Sequence, residues 1–282
     1  MGPVERVNKL AKFVKQRSAA GALVPKQLPL WPERLRGLPN PLARCALFTA
    51  SGKAEPRVDY KRTPIVSVEG FNINYTGEEL RQDDQDVFLQ LIHMARAEDL
   101  GQQMTITGHS ILVALGWGRG TEKYTRLKES VVRLREGTVW VSFPKTDGSA
   151  EDQLEGRGFT GNLIKALDWD GERWMLSLDP RIVALFGEDG YTQINWEERL
   201  QLGPLAKWLH SFYFTHREPL PYSVQKLYEL CGSKAKLLKH FRAGLKKALA
   251  ELEAVGFLVH WEIDSRTDKV IVRRRARAAL AA

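Results

Sequence analysis

The sequence predicts an α+β chain, two tandem copies of one helix–strand unit behind a largely disordered basic arm. Three observations carry this. The same order of elements is legible twice, roughly 100 residues apart, which marks an internal repeat. Charge is segregated along the 282 residues, with net +9 over 1–62, −2 over 63–135, −7 over 136–200 and +8 over 201–282. Residues 1–62 hold 13 basic groups against 4 acidic ones, and prolines interrupt them at Pro25, Pro29, Pro32, Pro39 and Pro41.

A hydrophobic content of 43% with 27% charged residues describes a globular protein, long enough for two ordinary domains. The net charge of +8 suits a polyanionic partner. Uniform solubilisation would spread that charge, whereas basic ends around an acidic middle point to a directed binding surface. With only Cys45 and Cys231 and no CxxC, neither a disulfide framework nor a zinc site is expected. No apolar run approaches the ~20 residues of a membrane span, and no cleavable secretory pattern opens the chain. The expectation is a reduced, soluble, cytoplasmic protein.

In the arm, residues 1–62, Leu10, Phe13 and Val14 fit one side of a short helix with Lys9, Lys12 and Lys15 opposite. After Gly21 the prolines exclude long regular elements. The composition is that of a disordered segment with embedded short motifs. One motif is Gln27-Leu28-Pro29-Leu30-Trp31, and two readings of it stand open. Gln27, Leu28, Leu30 and Trp31 fit an extended peptide whose apolar side chains fill a partner's pockets. Equally, Leu28, Leu30 and Trp31 fit a staple holding the arm to the body.

The first unit covers residues 63–195. Ile65 to Tyr75 reads as strand, ended by Thr76-Gly77. Glu78 to Leu100 reads as a helix with Leu80, Val87, Leu91, Met94 and Ala95 on one face and Gly101 as its stop. A short strand Met104–Ile106 follows. Thr107 is placed to cap a helix Gly108–Leu115, Gly116–Gly120 to turn, and Thr121 to cap a helix to Arg135 striped by Leu127, Val131 and Leu134. Thr138–Phe143 then reads as a strand and Trp174–Leu178 as its return, with a glycine-rich acidic loop over 144–161.

The second unit, residues 196–282, repeats the order. Glu197–His216 reads as helix and Leu220-Pro221 as an extended link. Ser223 caps a helix Val224–Cys231, Gly232-Ser233 turns, and Ser233–Val255 forms the next helix. Phe257–Ile263 and Lys269–Arg273 pair as a hairpin. Each order is that of a winged helix, a helix-turn-helix whose last helix enters the major groove, followed by a β-hairpin wing.

The helix Ser233–Val255 shows why duplex DNA is the expected partner. Its first half, to Lys247, holds six Lys and Arg residues and no acid. Leu238, Phe241, Leu245, Leu249 and Leu252 make one apolar stripe, leaving Lys236, Lys239, Ala243, Lys246 and Lys247 on another face. Ser233, Lys234, Lys236, Lys239, His240, Lys246 and Lys247 are the DNA-contact candidates here, with Arg273, Arg274 and Arg275 on the second wing. In the first unit the candidates are Arg119, Lys123, Tyr124, Arg126 and Lys128, at the turn and the helix start nearest base edges. Arginine suits guanine edges and lysine mostly phosphate. The competing reading is solvated surface charge, with Arg126 and Lys128 paired to Glu122 or Glu129 and His240 without a role.

Enzymatic readings find no support. Gly116–Gly120 lacks G-x-x-x-x-G-K-[ST] and lies between helices, so it is a turn and not a phosphate loop. The six histidines form neither a His-x-His pair nor H-E-x-x-H, which argues against a metal-dependent nickase. Asp83, Asp84 and Asp86 sit on helix faces without convincing ligand spacing. No catalytic centre, metal or cofactor is expected.

With both repeats laid out, the chain resembles the iteron-binding plasmid replication initiators of the TrfA type. The resemblance spans most of residues 60–277. It rests on GHSILVALGWGRGTEKYTRLKESVVRLREGTVWVSF in the first unit and LAKWLHSFYFTHREPLPYSVQKLYELCGSKAKLLKHFRAGLKKALAELEAVGFL in the second. Gln27 to Trp31 resembles the QL[SD]LF peptide with which such initiators bind the replicative sliding clamp, departing at Pro29 and Trp31. The resemblance implies binding to directly repeated iterons, opening of an A·T-rich segment with its single strands, and recruitment of host initiator, helicase and clamp. It also implies a monomer–dimer balance that limits copy number. A transcriptional repressor of the same fold is the alternative, and its arm would have no replisome partner.

Overall fold

The expectation of a flexible arm over residues 1–62 fails from Leu28 onward. The computed structural model describes residues 28–68, 71–98, 102–143, 157–186 and 190–275. The helix read at Leu10–Val14, the residue Gln27, the helix end read at Leu100 and Gly101, and loop residues 144–156 lie outside them. Strand β1 (Leu35–Pro39) pairs antiparallel with Tyr191–Asn195, from Leu35 opposite Asn195 to Pro39 opposite Tyr191. Helix α1 (Asn40–Ala43) and strand β2 (Phe48–Thr49) follow. Leu35, Leu38, Leu42, Cys45, Leu47 and Phe48 are all buried. Prolines exclude helix interiors but not strand ends or first helical turns. Here Pro39 ends β1 and Pro41 sits in the first turn of α1.

The staple reading holds for Leu28 and Trp31, each 3% exposed, whereas Leu30 is 71% exposed. The Trp31 ring stacks on Phe186 at 6.1 Å and lies 5.9 Å from Tyr191. It covers Gly37 so closely that an added Cβ would come within 2.7 Å of the ring. Leu28 and Trp31 are therefore not free to fill a sliding clamp's pockets. Burial of apolar surface exceeds what an exposed peptide could gain, so the side chains fold inward.

Trp31 Nε1 donates to His93 Nδ1 at 3.0 Å, leaving the ring proton on Nε2, which donates to Glu33 at 2.9 Å. Burial lowers the pKa of His93 to about 4, against the opposing hydrogen bond to Glu33. The folded value lies below the unfolded one, so the unfolded chain binds the extra proton between about pH 6.5 and 4. This contribution is complete above that window and is lost as pH falls through it. At pH 4.5 wild-type protein should lose about 2 kcal/mol more stability, relative to pH 7, than a His93→Gln variant. Parallel pH series of urea titrations check this, and equal losses would refute it.

Next come β3 (Asp59–Ile65), β4 (Asn72–Glu78), β5 (Leu80–Arg81) and α2 (Gln82–Ala95). Helix α2 starts later than Glu78 because β5 pairs parallel with β2. Val87, Phe88, Leu89, Leu91 and Ile92 are buried together with Gln82, Gln85, Gln90 and His93, so α2 is enclosed and not amphipathic. Its acids answer arginines. Asp84 accepts from Arg57 at 2.7 Å, Arg133 at 2.9 Å and Ser130 at 2.7 Å, and its carboxylate also takes the Arg81 backbone N–H at 2.8 Å.

Strand β6 (Met104–Thr107), helices α3 (Gly108–Ala114) and α4 (Thr121–Glu136), and strand β7 (Thr138–Phe143) follow as read. The pairing of β7 differs from expectation. It joins a sheet ordered β3-β4-β7-β8 with β8 (Arg157–Asn162). The hairpin is instead β9 (Ile164–Asp170) with β10 (Arg173–Leu178), in a sheet ordered β6-β10-β9. Alternation identifies a strand's faces but not its neighbour, so Val139 and Val141 suit either sheet.

Helix α5 (Pro180–Val183), strand β11 (Tyr191–Asn195) and helix α6 (Trp196–Leu200) lead into the second unit. Helix α7 (Pro204–Phe214) is separate from α6, because Gly203 caps it and Pro204 opens it. Strand β12 (Tyr222–Ser223), helices α8 (Val224–Leu230) and α9 (Leu238–Ala254), and strands β13 (Leu258–Ile263) and β14 (Lys269–Arg274) complete the order. Their sheet runs β12-β14-β13, the same arrangement as β6-β10-β9. One core runs from Leu28 to Trp196 and the other from Leu202 to Val272. Among the described residues no helix is long and apolar enough to cross a membrane.

Candidate nucleic-acid interface

In each unit a capped short helix and a glycine turn aim a longer helix outward. In the first, Thr107 Oγ1 accepts from Ser110 N at 3.2 Å, and Gly116 closes α3 with φ of 65°. Gly120, not Thr121, is the N-cap residue of α4. In the second, Ser223 Oγ accepts from Lys226 N at 3.1 Å, and Gly232 turns with φ of 62°. These left-handed turns favour glycine because a Cβ is strained there.

Helix α9 begins at Leu238, later than the Ser233 expected. Phe241, Leu245, Ala248, Leu249 and Leu252 are buried as the stripe requires. Lys236, Lys239, His240, Lys246 and Lys247 are all exposed, and Ala243 and Gly244 lie exposed among them. Arg242 pairs with Asp268 in the β13–β14 turn, with one contact at 3.0 Å, tying the hairpin to the helix. Arg266, Lys269 and Arg273 are exposed along that hairpin. The arrangement presents unbound cations over a helix face and a neighbouring ribbon, the chemistry that phosphates attract.

Three candidates of this unit have internal partners instead. Lys234 Nζ lies 2.7 Å from the Glu79 carboxylate and 3.2 Å from Pro56 O. Arg274 donates to the carbonyls of Phe214 at 3.3 Å and Arg217 at 2.8 Å. Arg275 pairs with Glu198 at 2.9 Å. Their cations are engaged within the fold. Ser233 Oγ accepts from Ala235 N at 3.3 Å, shaping the turn before α9.

On α4 and the turn before it, Arg119, Tyr124 and Lys128 are exposed, and Lys123 is half-buried 3.5 Å from Glu122. Arg126 departs from expectation. Its guanidinium lies 3.9 Å over the Trp117 ring and 2.9 Å from Asp83, so it braces the turn against α2. The structure adds Lys53, which the sequence reading missed. Arg126, foremost, and burial lower its pKa, with Lys123 adding to the effect. Lys53 therefore lies near Arg126 and Lys123 beside the start of α4, where Asp83 and Glu122 oppose the shift. No local pattern pointed to it, because its neighbours are about 70 residues away in sequence.

Among the described residues no group of three or more His, Cys, Asp or Glu could hold a metal ion. Cys45 and Cys231 are buried and unpaired, and burial pushes both thiols up to about 12. Burial therefore disfavours the thiolate at both.

Two crystal structures of domains 2 and 3 of RctB share the fold. One has a TM-score of 0.51 at 12% identity, covering 78% of this chain and 91% of that one. The other has a TM-score of 0.51 at 14% identity, covering 80% and 92%. The plasmid replication initiator protein TrfA of Escherichia coli is 30% identical over 255 residues. That match covers 89% of this chain but 65% of the relative, so the chain spans less than two thirds of its length. The model of the TrfA protein family matches residues 5–274, and the chain belongs to that family.

Proposed function

We propose that the chain is a plasmid replication initiator that binds duplex DNA at the origin and has no catalytic activity of its own. The observation that carries this is the duplication. Two units with the same strand order each present a helix bearing exposed cations, α4 and α9. The order of each unit supports a winged-helix reading, with β9–β10 and β13–β14 as wings. Two such helices suit successive major grooves of a repeated iteron. Opening of an A·T-rich segment, with its single strands, and recruitment of host initiator and helicase complete the proposal. Family membership favours this over a repressor. A sliding-clamp contact through Leu28 and Trp31 is not included, because both side chains lie in the core.

The test is the salt dependence of binding. Lys239→Ala with Lys246→Ala should weaken binding across duplex sequences and reduce the slope of log K against log salt by about two units, one per lost phosphate contact. Fluorescence anisotropy on a labelled origin duplex at several salt concentrations measures it. An unchanged slope would show that this face of α9 does not meet phosphate.

A further inference from the structure

Where the two units meet, two carboxylates of the first unit are almost completely buried, Glu79 between β4 and β5 and Asp86 on α2. Each is shared by an arginine and a lysine. Glu79 takes Arg81 of its own unit at 2.9 Å and Lys234 of the second unit at 2.7 Å. Asp86 takes Arg199 of α6 at 2.7 Å on one oxygen and Lys207 of α7 on the other. Arg199, itself fully buried, grips both sides. It donates to Gln82 at 3.1 Å and Gln85 at 2.9 Å on α2, and to Ser211 at 2.8 Å on α7. Further bonds cross nearby, from Ala50 N to Cys231 O at 2.9 Å and from Arg44 to Thr215 Oγ1 at 2.7 Å.

An apolar contact tolerates sliding, because one methyl group replaces another at little cost. A buried ion pair does not, because small displacements leave a charge unpaired in a medium of low dielectric. Lys234 stands four residues before the start of α9, so its bond to Glu79 fixes that end of the helix against the first unit. We infer that Lys207 and Lys234 are positioning residues that hold the two units at one separation and rotation, and so set the base-pair spacing that α4 and α9 read. The inference rests on the duplex-binding reading above. It moves Lys234 from the DNA surface to the joint.

The variant Lys207→Met/Lys234→Met tests it. Each carboxylate keeps its arginine, so the fold persists, and circular dichroism verifies this. Among the described residues only Arg199 then crosses the joint as a buried ion pair, a single pivot about which the α9 end, no longer tied to Glu79, can swing. The probe is a duplex selected from a randomised pool by the full-length wild-type chain. Companion duplexes carry one or two base pairs inserted between its two footprinted segments. Each inserted pair shifts and rotates one groove relative to the other, so the wild type should lose about tenfold or more in affinity. The variant should lose no more than about threefold on the same duplexes, with the salt slope on the original probe unchanged. An insertion penalty equal to that of the wild type overturns the proposal, as does a wild type indifferent to insertion. A slope lower by about one unit would return Lys234 to phosphate contact and also overturn it. Failure of the wild type to select any duplex would instead remove the duplex-binding reading itself.

Discussion

Trp31→Ala should cost about 3–5 kcal/mol of folding stability, while Leu30→Ala should change it by less than about 0.5 kcal/mol. The two residues are neighbours in one motif and differ in what surrounds them. Trp31 is stacked on Phe186, seated over Gly37 and hydrogen-bonded to His93. Its removal leaves a large cavity and an unanswered His93 Nδ1, and each carries a penalty. Leu30 is mostly in solvent. Trp31→Phe should fall between the two, about 1–3 kcal/mol, because it keeps a stacked ring but loses the hydrogen bond to His93 and the outer edge of the indole that covers Gly37. Urea titrations of the three variants decide the matter. A Trp31→Ala protein as stable as the wild type would mean that the motif hangs free of the body.

That contrast also shows what the sequence made legible. In the second unit nearly everything was local. Ser223 as a cap, Gly232 as a turn and the stripe from Leu238 to Leu252 follow from rules spanning a few residues, and the structure has all three. The missed break at Gly203-Pro204 was local too, but strong apolar periodicity on both sides hid it. In the first unit the failures are long-range. Charge and prolines made residues 28–62 look disordered, because β1 is completed by β11 about 150 residues later. Strand β7 pairs with β4 and β8, and alternation within β7 cannot name either.

The proposed DNA face divides in the same way. Helical period correctly placed Lys239, Lys246 and Lys247 outside, since exposure depends on position within one helix. It could not reveal which cations already had partners. Asp83 lies 43 residues from Arg126 and Glu79 lies 155 residues from Lys234, and only the folded chain brings each pair together. Lys53 comes beside Arg126 and Lys123 by the same route. A basic residue on a plausible face is thus a weaker candidate than a basic residue on that face whose surroundings hold no acid.

Asp86→Asn should be among the most damaging single substitutions, costing about 3–5 kcal/mol, because it strands the buried guanidinium of Arg199 without a counter-charge. Burial lowers the pKa of Arg199 while Asp86 raises it, so the pairing is what keeps the cation tolerable there. Adding Arg199→Met removes the stranded charge. The double variant should then be more stable than the sum of the two single losses implies, with a coupling of about 1–3 kcal/mol. Lys207 can turn toward water once Asp86 is neutral, since its side chain is partly exposed, so it does not become a second stranded charge. A double-mutant cycle in urea measures the coupling directly. Additive losses would show that the joint is held by its apolar and backbone contacts, and that Asp86 and Arg199 do not act as a unit.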